Sequence, residues 1–543
     1  MSVYSCHPYP LDLGSLGFVE GLAISSPSAG SPLCHYFGGI PYALPPIERY
    51  RFRVPRPLPM YHRYGTLANP GRFAGKTALC PQPPYRAPLD KTFWDEDCLQ
   101  LNIWIPVGEK PRGGWPVFFY IHGGWLQFGT ANVGADVGAK LVGETAFKAI
   151  IVAPSYRLNL FGFLASKELE AEAKVNGEPV GNMGFWDQRL ALEWTHKHIH
   201  AFGGDPDMIT VGGYSAGSHS TCQQLFYDLG KPREKAIIKR AIMWSNGPGV
   251  QAKFLPEHQL QFDELLAVLQ IPESLSANGK LQRLRQVSPH RLVGVLEKLK
   301  YCEFRALSDG LFVDRGAAEK INDGTYAREI KSRGIRILNG ECAEEWNVYG
   351  IWRTPGNTYQ DVYRRLVADY PEKIVNRLMP MYFPEKKLPS EYKEWMDAFG
   401  RVYADMQVYA LERGFADRLA AGGFTVGRDL LRYRIEWRAK CVDDVLPPEW
   451  GVTHSSDIAI WFWGHGMGKG LTKQEMKILE PWNRLFADFV NQKDVQWPVK
   501  GAKEFLVLRS DGKTEMAKDH LWDHGLKIWN AVTENNEVSK SRL

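Results

Sequence analysis

Met208-Ile209-Thr210-Val211-Gly212-Gly213-Tyr214-Ser215-Ala216-Gly217 runs from a short apolar segment straight into a turn of small residues. The first four residues read as a buried strand. Small residues at 213, 216 and 217 permit a sharp turn with the Ser215 hydroxyl exposed at its apex, and a helix follows whose first amide, that of Ala216, points at the same spot. A strand, a tight turn and a helix in this order place Ser215 as a candidate nucleophile in an α/β fold. Alone, the pattern leaves a second reading open, a glycine-rich turn around a buried serine.

A second site lies upstream. The apolar strand Pro116-Val117-Phe118-Phe119-Tyr120-Ile121 runs into His122-Gly123-Gly124-Trp125. Adjacent glycines after a buried strand let backbone N–H groups converge on one point, and such donors are worth roughly 2.7–4 kcal/mol each to a tetrahedral transition state. The two patterns together point to serine-based acyl transfer, with Gly123, Gly124 and Ala216 as the oxyanion donors.

Further motifs stand in fixed order along the chain. They are Phe37-Gly38-Gly39-Ile40-Pro41-Tyr42-Ala43 with Arg51-Phe52, then Glu96-Asp97-Cys98-Leu99 and Leu101-Asn102-Ile103-Trp104. Tyr156-Arg157-Leu158, Phe161-Gly162-Phe163-Leu164, Gly181-Asn182-Met183-Gly184 and Asp187-Gln188 then lead through Phe202-Gly203-Gly204-Asp205-Pro206 to the turn at Ser215. In these motifs the chain resembles the type-B carboxylesterase/lipase family, the cholinesterase-like α/β hydrolases, over nearly its whole length. The His-Gly-Gly-Trp-Leu-Gln loop is most similar to filamentous-fungal members. The resemblance implies an α/β-hydrolase fold: one domain over residues 1–543, a large, mostly parallel central sheet flanked by helices, and long insertions. Length alone would suggest about three or four domains.

The resemblance also supplies the other catalytic candidates. Gly340-Glu341-Cys342-Ala343-Glu344-Glu345-Trp346 is similar to the family's acid motif, which puts the acid at Glu345, with Glu344 in the place of an aspartate. Glu341 and Glu344 are its competitors on the same stretch. Gly451-Val452-Thr453-His454-Ser455-Ser456-Asp457 resembles the histidine loop and puts the general base at His454. The order Ser215, Glu345, His454 is that of α/β hydrolases. Read without the family, His520 and His524 compete, because they follow the apolar strand Phe505-Leu506-Val507-Leu508.

Two residues at the site bear on substrate. Tyr214 precedes the serine where cholinesterase-like members carry glutamate, which speaks against choline esters. Trp125 replaces a third glycine. With Leu126 and Tyr214 it is a candidate wall of the substrate pocket, and packing into the core beside Leu126 and Phe128 is the competing reading. The resemblance further implies a Cys80–Cys98 disulfide; the other cysteines, 6, 34, 222, 302, 342 and 441, read as free. The residues between Cys80 and Cys98 carry four prolines and form a segment too short and too broken for a long helical lid. This favours a soluble ester over lipid interfaces.

The rest of the chain narrows the function classes. Net charge is +5 with Lys and Arg dispersed, which favours neither nucleic acid nor membrane surfaces. A content of 44% hydrophobic and 12% aromatic residues supports a large core. No basic segment followed by an apolar core opens the chain, and no run approaches the roughly 18 apolar residues of a membrane span, so a soluble cytoplasmic enzyme is expected. Without zinc-like spacing or a dinucleotide glycine pattern, no cofactor and no metal are expected. Trp186, Leu190 and Trp194 read as a buried helix stripe, and Arg51 with Glu96 and Arg157 with Asp187 as structural ion pairs. The expected partner is a small ester. An acyltransferase with the same triad, or an esterase-like binding module without catalysis, are the alternatives.

Overall fold

The structure, a computed structural model, describes residues 4–26, 31–84, 94–464 and 468–533. Twelve strands follow one path through the main sheet: β1 (Ser5–Asp12), β2 (Phe18–Ser25), β3 (Cys34–Pro41), β4 (Gln100–Pro106), β5 (Trp115–Ile121), β6 (Ile150–Pro154), β7 (Gly204–Tyr214), β8 (Arg240–Trp244), β9 (Arg336–Cys342), β10 (Leu430–Ile435), β11 (Glu504–Leu508) and β12 (Thr514–Lys518). Their order is β1-β2-β3-β4-β6-β5-β7-β8-β9-β10-β11-β12, and the two-residue strand Gly71–Arg72 beside β2 makes a thirteenth among the described residues. From β6 to β11 every neighbour is parallel, while β1–β4 and β12 add antiparallel edges. Helices flank this sheet, which is the α/β-hydrolase architecture.

Both faces are covered, so the central strands read as unbroken apolar runs. β5 and β8 are buried along their whole length. Side chains still alternate: Val117, Phe119, Ile121, Val211, Ala241 and Met243 enter one core, whereas Phe118, Tyr120, Ile242, Trp244 and Tyr433 enter the other. A third apolar cluster caps the sheet. It is built largely from helices inserted between β9 and β10, with Tyr349, Trp352, Leu366, Leu378, Phe399 and Tyr403 among its members.

The order reverses at β6-β5-β7, so the chain leaves β5 in one direction and β7 in the other. A crevice opens beyond the carboxyl ends of strands at such a switch point. The glycines after β5 and the serine after β7 lie there.

On the helix Met183–His198 the expected stripe is replaced by wider burial. Trp194 is buried, Trp186 and Leu190 are only half-buried, and Phe185, Asp187, Gln188, Arg189 and Leu192 are buried as well. The helix is covered on several faces because it packs against the short helix Asn159–Phe163, the helix Ala216–Leu229 and the sheet. The expected ion pairs are present. Arg157 donates from Nε and Nη2 to Asp187 at 2.8 and 2.7 Å, and Arg51 donates from Nε to Glu96 at 2.7 Å.

Cys80 and Cys98 are disulfide-bonded with Cα atoms 5.2 Å apart, and the other six cysteines are free. The reading of the intervening segment as too short for a lid falls largely on residues 85–93, outside the described residues. The residues just after Cys80 touch the site loop. The Gln82 amide accepts from the Gly129 N–H at 2.9 Å and donates to its carbonyl at 3.0 Å, and Asn159 Nδ2 donates to the Pro81 carbonyl at 2.9 Å. Replacing both cysteines by serine is expected to lower unfolding stability by about 3 kcal/mol, the loop-closure value for a ring of this size. Denaturant titration of the oxidised protein against the double variant measures it, and coincident midpoints would show that closure adds nothing.

Candidate active site

Ser215 sits at the end of β7 with φ 58 and ψ −124, a backbone conformation that a non-glycine residue adopts only under constraint. Its neighbours impose it. The Ser215 N–H donates to the Trp244 carbonyl at 2.8 Å, and its own carbonyl accepts from His219 N–H at 3.1 Å as the helix Ala216–Leu229 begins. A Cβ at Gly217 would collide with the Ile121 carbonyl, so the turn closes only with glycine there.

Glu345 and His454 arrive from the ends of β9 and from the loop after β10. Ser215 Oγ donates to His454 Nε2 at 2.8 Å, and His454 Nδ1 donates to Glu345 Oε2 at 2.5 Å. All three are buried. The other carboxylate oxygen, Oε1, accepts the Cys342 N–H at 2.7 Å, which fixes the carboxylate plane. Such a line can pass the serine proton to the imidazole while the carboxylate holds the tautomer.

The competing carboxylates go elsewhere. Glu341 is locked in a buried network with Arg413, at 2.7 and 3.0 Å, and with Arg434; the two guanidinium groups hold its pKa down to about 2 against the cost of burial. Glu344 accepts the Val452 N–H at 2.5 Å, and its own N–H donates to the Val452 carbonyl at 3.0 Å. It fastens the loop carrying His454 to the loop carrying Glu345. The competing histidines are exposed behind the acid loop. His524 pairs with Asp405 at 3.2 Å, which raises its pKa, and neither it nor His520 contacts Ser215 among the described residues.

After β5 the backbone folds back over Ser215. A Cβ at Gly123 would lie 2.6 Å from the Tyr214 carbonyl oxygen and 3.0 Å from Ser215 Cβ, so only glycine lets this strand end approach so closely. Among the described residues no protein group accepts from the amides of Gly123, Gly124 or Ala216. The loop is braced on all sides. Tyr156 Oη donates to the His122 carbonyl at 2.8 Å, Asn159 N–H to the Leu126 carbonyl at 2.7 Å, and Gln127 Nε2 to the Phe304 carbonyl at 2.6 Å. His122 stacks on Tyr156 at 4.4 Å, and burial drops its pKa to about 4, so its ring is neutral.

A cavity of about 970 Å³ of empty space, part of it open to solvent, extends from Ser215 and Ala216. Trp125 and Leu126 line it. Tyr214 does not, and here the structure corrects the sequence reading: a residue at the end of β7 turns behind the serine, and its ring lies 4.8 Å from that of His454. Trp125 belongs to both of its expected settings. One side borders the cavity while the ring stacks on Trp352 at 4.9 Å and meets Tyr349 edge-on at 5.8 Å.

Three residues escaped the sequence reading. Tyr349 lies one helical turn beyond Glu345, and its ring, like that of Tyr214, packs against His454, at 4.5 Å between rings. Tyr409 accepts the Glu345 N–H at 2.9 Å and donates to the Ala343 carbonyl at 2.9 Å, from a π-helical turn at Asp405–Tyr409. Arg305 donates to the Trp125 carbonyl. The spacing of Glu345 and Tyr349 was a legible signal; nothing local marks the other two. Asp457, three residues after His454, is buried beside this group, and burial together with the Glu345 charge raises its pKa to about 6. Among the described residues no cluster could hold a metal ion, and no helix is long and apolar enough to cross a membrane.

Residues 12–537 match the Carboxylesterase family. A carboxylic ester hydrolase of Gibberella moniliformis is 51% identical over 541 residues, 99% of either chain. An uncharacterized esterase/lipase of Schizosaccharomyces pombe is 38% identical over 97% of each chain. The para-nitrobenzyl esterase of Bacillus subtilis is 33% identical over 272 residues, half of each chain.

Proposed function

Since the chain belongs to the carboxylesterase family, whose activity is carboxylic ester hydrolysis, we propose that it works as a serine hydrolase on a small or medium soluble ester through an acyl-enzyme. The observation that carries this reading is the unbroken line Ser215 Oγ, His454 Nε2, His454 Nδ1, Glu345 Oε2, at 2.8 and 2.5 Å. In the first step Ser215 Oγ attacks the ester carbonyl and its proton passes to His454 Nε2. The carbonyl oxygen becomes an oxyanion that accepts from the amides of Gly123, Gly124 and Ala216. The imidazolium, stabilised by Glu345, then gives the proton to the departing alcohol and leaves an acyl group on Ser215. Water, deprotonated by the same imidazole, releases the acid. The imidazole is buried against the rings of Tyr214 and Tyr349, which limit its contact with solvent and strengthen its pairing with the buried carboxylate.

An organophosphonate ester tests the reading. It should block hydrolysis of p-nitrophenyl butyrate at one equivalent per chain, and peptide mass mapping should recover the adduct on Ser215. An adduct on another residue, or full activity after labelling, would refute it.

Trp125 sets the acyl preference in this reading. Trp125→Gly keeps the backbone amide, relieves a φ of 53 and opens space beside the reacting carbonyl. Branched or longer acyl esters should gain over acetate by roughly 10–200-fold in kcat/KM, the scale of a reshaped hydrophobic pocket. Loss of the stack on Trp352 should lower the melting temperature at the same time. A lower melting temperature with an unchanged acyl-length profile would assign the indole to packing alone.

A further inference from the structure

The cavity beside Ser215 is amphipathic. Its lining holds apolar Val313, Ile321 and Leu411, the carboxylates Asp314 and Asp369, and Lys253, Arg305 and Gln223. Ester cleavage as described uses none of these polar residues.

Lys253 is half-buried on the stretch before the helix Leu255–Val268. Its Nζ donates to the carbonyls of Val367 and Ala368, each at 2.7 Å, which accounts for two of its three protons. Among the described residues it has no ion-pair partner. The carboxylates whose field reaches it are already engaged. Asp369 is held by Arg305 at 2.6 Å and by Arg365, and Glu257 accepts the Phe254 N–H at 2.9 Å. Asp314, also on the cavity wall, accepts from Tyr326 Oη at 2.7 Å and pairs with Lys320.

Around Lys253 the carboxylates already have other partners. Arg305 and Arg365 pair with both Glu303 and Asp369, and Arg353 pairs with Glu303. Burial brings the Lys253 pKa down to about 8, and the ammonium form still prevails at neutral pH. Gln223 adds an independent sign. It is 4% exposed, lines the same cavity, and its Oε1 has no hydrogen-bond partner among the described residues. A buried acceptor left open costs free energy that a ligand donor recovers.

We propose that Lys253 forms an anion subsite in this cavity, and that the ester taken by the enzyme carries a carboxylate or similar anion that pairs with the free proton of Lys253, with a hydroxyl or N–H group donating to Gln223. The proposal rests on the serine-esterase reading of the same cavity. It assigns Lys253 and Gln223 to the part of the substrate that does not react, so binding there orients the ester carbonyl over Ser215.

Two matched ester pairs test it, one for each side of the scissile bond. The acyl pair is p-nitrophenyl hexanoate and the mono-p-nitrophenyl ester of adipic acid; the alcohol pair is phenyl butyrate and 3-butyryloxybenzoate. In at least one pair the anionic member should be favoured by roughly 10–100-fold in kcat/KM, through KM, the range of a hydrogen bond to a charged group. Lys253→Met should erase that ratio and Lys253→Arg should restore most of it. Free adipate should inhibit hydrolysis of the neutral ester competitively in the wild type and more weakly in Lys253→Met. Preference for the neutral member in both pairs, or a ratio that survives Lys253→Met, would overturn the subsite while leaving the esterase reading intact. Absence of turnover for all four esters, with no phosphonate adduct at Ser215, would overturn both.

Discussion

A Ser215→Ala protein is expected to fold normally and to hydrolyse p-nitrophenyl butyrate about 10⁴–10⁶ times more slowly than the wild type, the scale of losing one member of a catalytic unit. The magnitude follows from the geometry. Removing Oγ removes both the nucleophile and the proton that His454 receives at 2.8 Å. What remains is the set of free amides at Gly123, Gly124 and Ala216, which by itself sustains only a residual rate. The measurement is initial velocity on protein whose thermal unfolding matches the wild type. A folded variant keeping more than about a tenth of the activity would remove Ser215 from the mechanism, since such a loss is far below the range of a lost nucleophile.

The histidines supply the second large effect. His454→Ala should lose turnover by a factor of about 10⁴–10⁶. It should also lower the melting temperature, because the buried Glu345 carboxylate loses its imidazole partner and a cavity opens beside Tyr214 and Tyr349. His520→Ala should retain most activity, because that side chain is exposed behind the acid loop. Glu345→Gln tests the third member without deleting volume. An amide can donate to the imidazole, stabilise the wrong tautomer and fail to balance the imidazolium, for a loss of about 10⁴ in kcat. Steady-state kinetics on the three variants decides between the loops. Activity surviving in His454→Ala and vanishing in His520→Ala would reverse the assignment.

Much of the site was legible because its residues report local backbone demands. Glycine at 123 and 217 and the serine at 215 are needed where chain segments touch or where φ is positive, and those demands are written into neighbouring positions. The strands leading into them showed as apolar runs for the same reason: β5 and β8 are buried on both faces. Glu345 and His454 were legible only through the family resemblance. Unaided, the chain offered three carboxylates within five residues and three histidines after strands.

Other features depend on residues far apart in sequence. Glu341 competed with Glu345 on the same stretch, and it is Arg413 and Arg434 that take it out of the site. Tyr214 was expected at the pocket because it adjoins the serine, yet strand alternation sends its ring to the other side. Tyr409 reaches the acid loop from a helix inserted between β9 and β10, and Lys253 meets the end of the helix Tyr359–Asp369 across more than a hundred positions. No periodicity of a single segment encodes such meetings.

The sequence by itself determined the α/β class, the strand–turn–helix at Ser215, the glycine loop facing it and the candidates at 345 and 454, because each depends on steric rules within a few residues or on an ordered set of motifs. Only the tertiary structure decided which carboxylate faces the imidazole, that Tyr214 and Tyr349 pack against it, that Trp125 serves packing and cavity together, and that Lys253, without an ion-pair partner among the described residues, lines the cavity. Those outcomes are set by how the inserted helices dock over the ends of the strands, where burial and charge pairing between distant segments select among side chains that are equivalent in sequence.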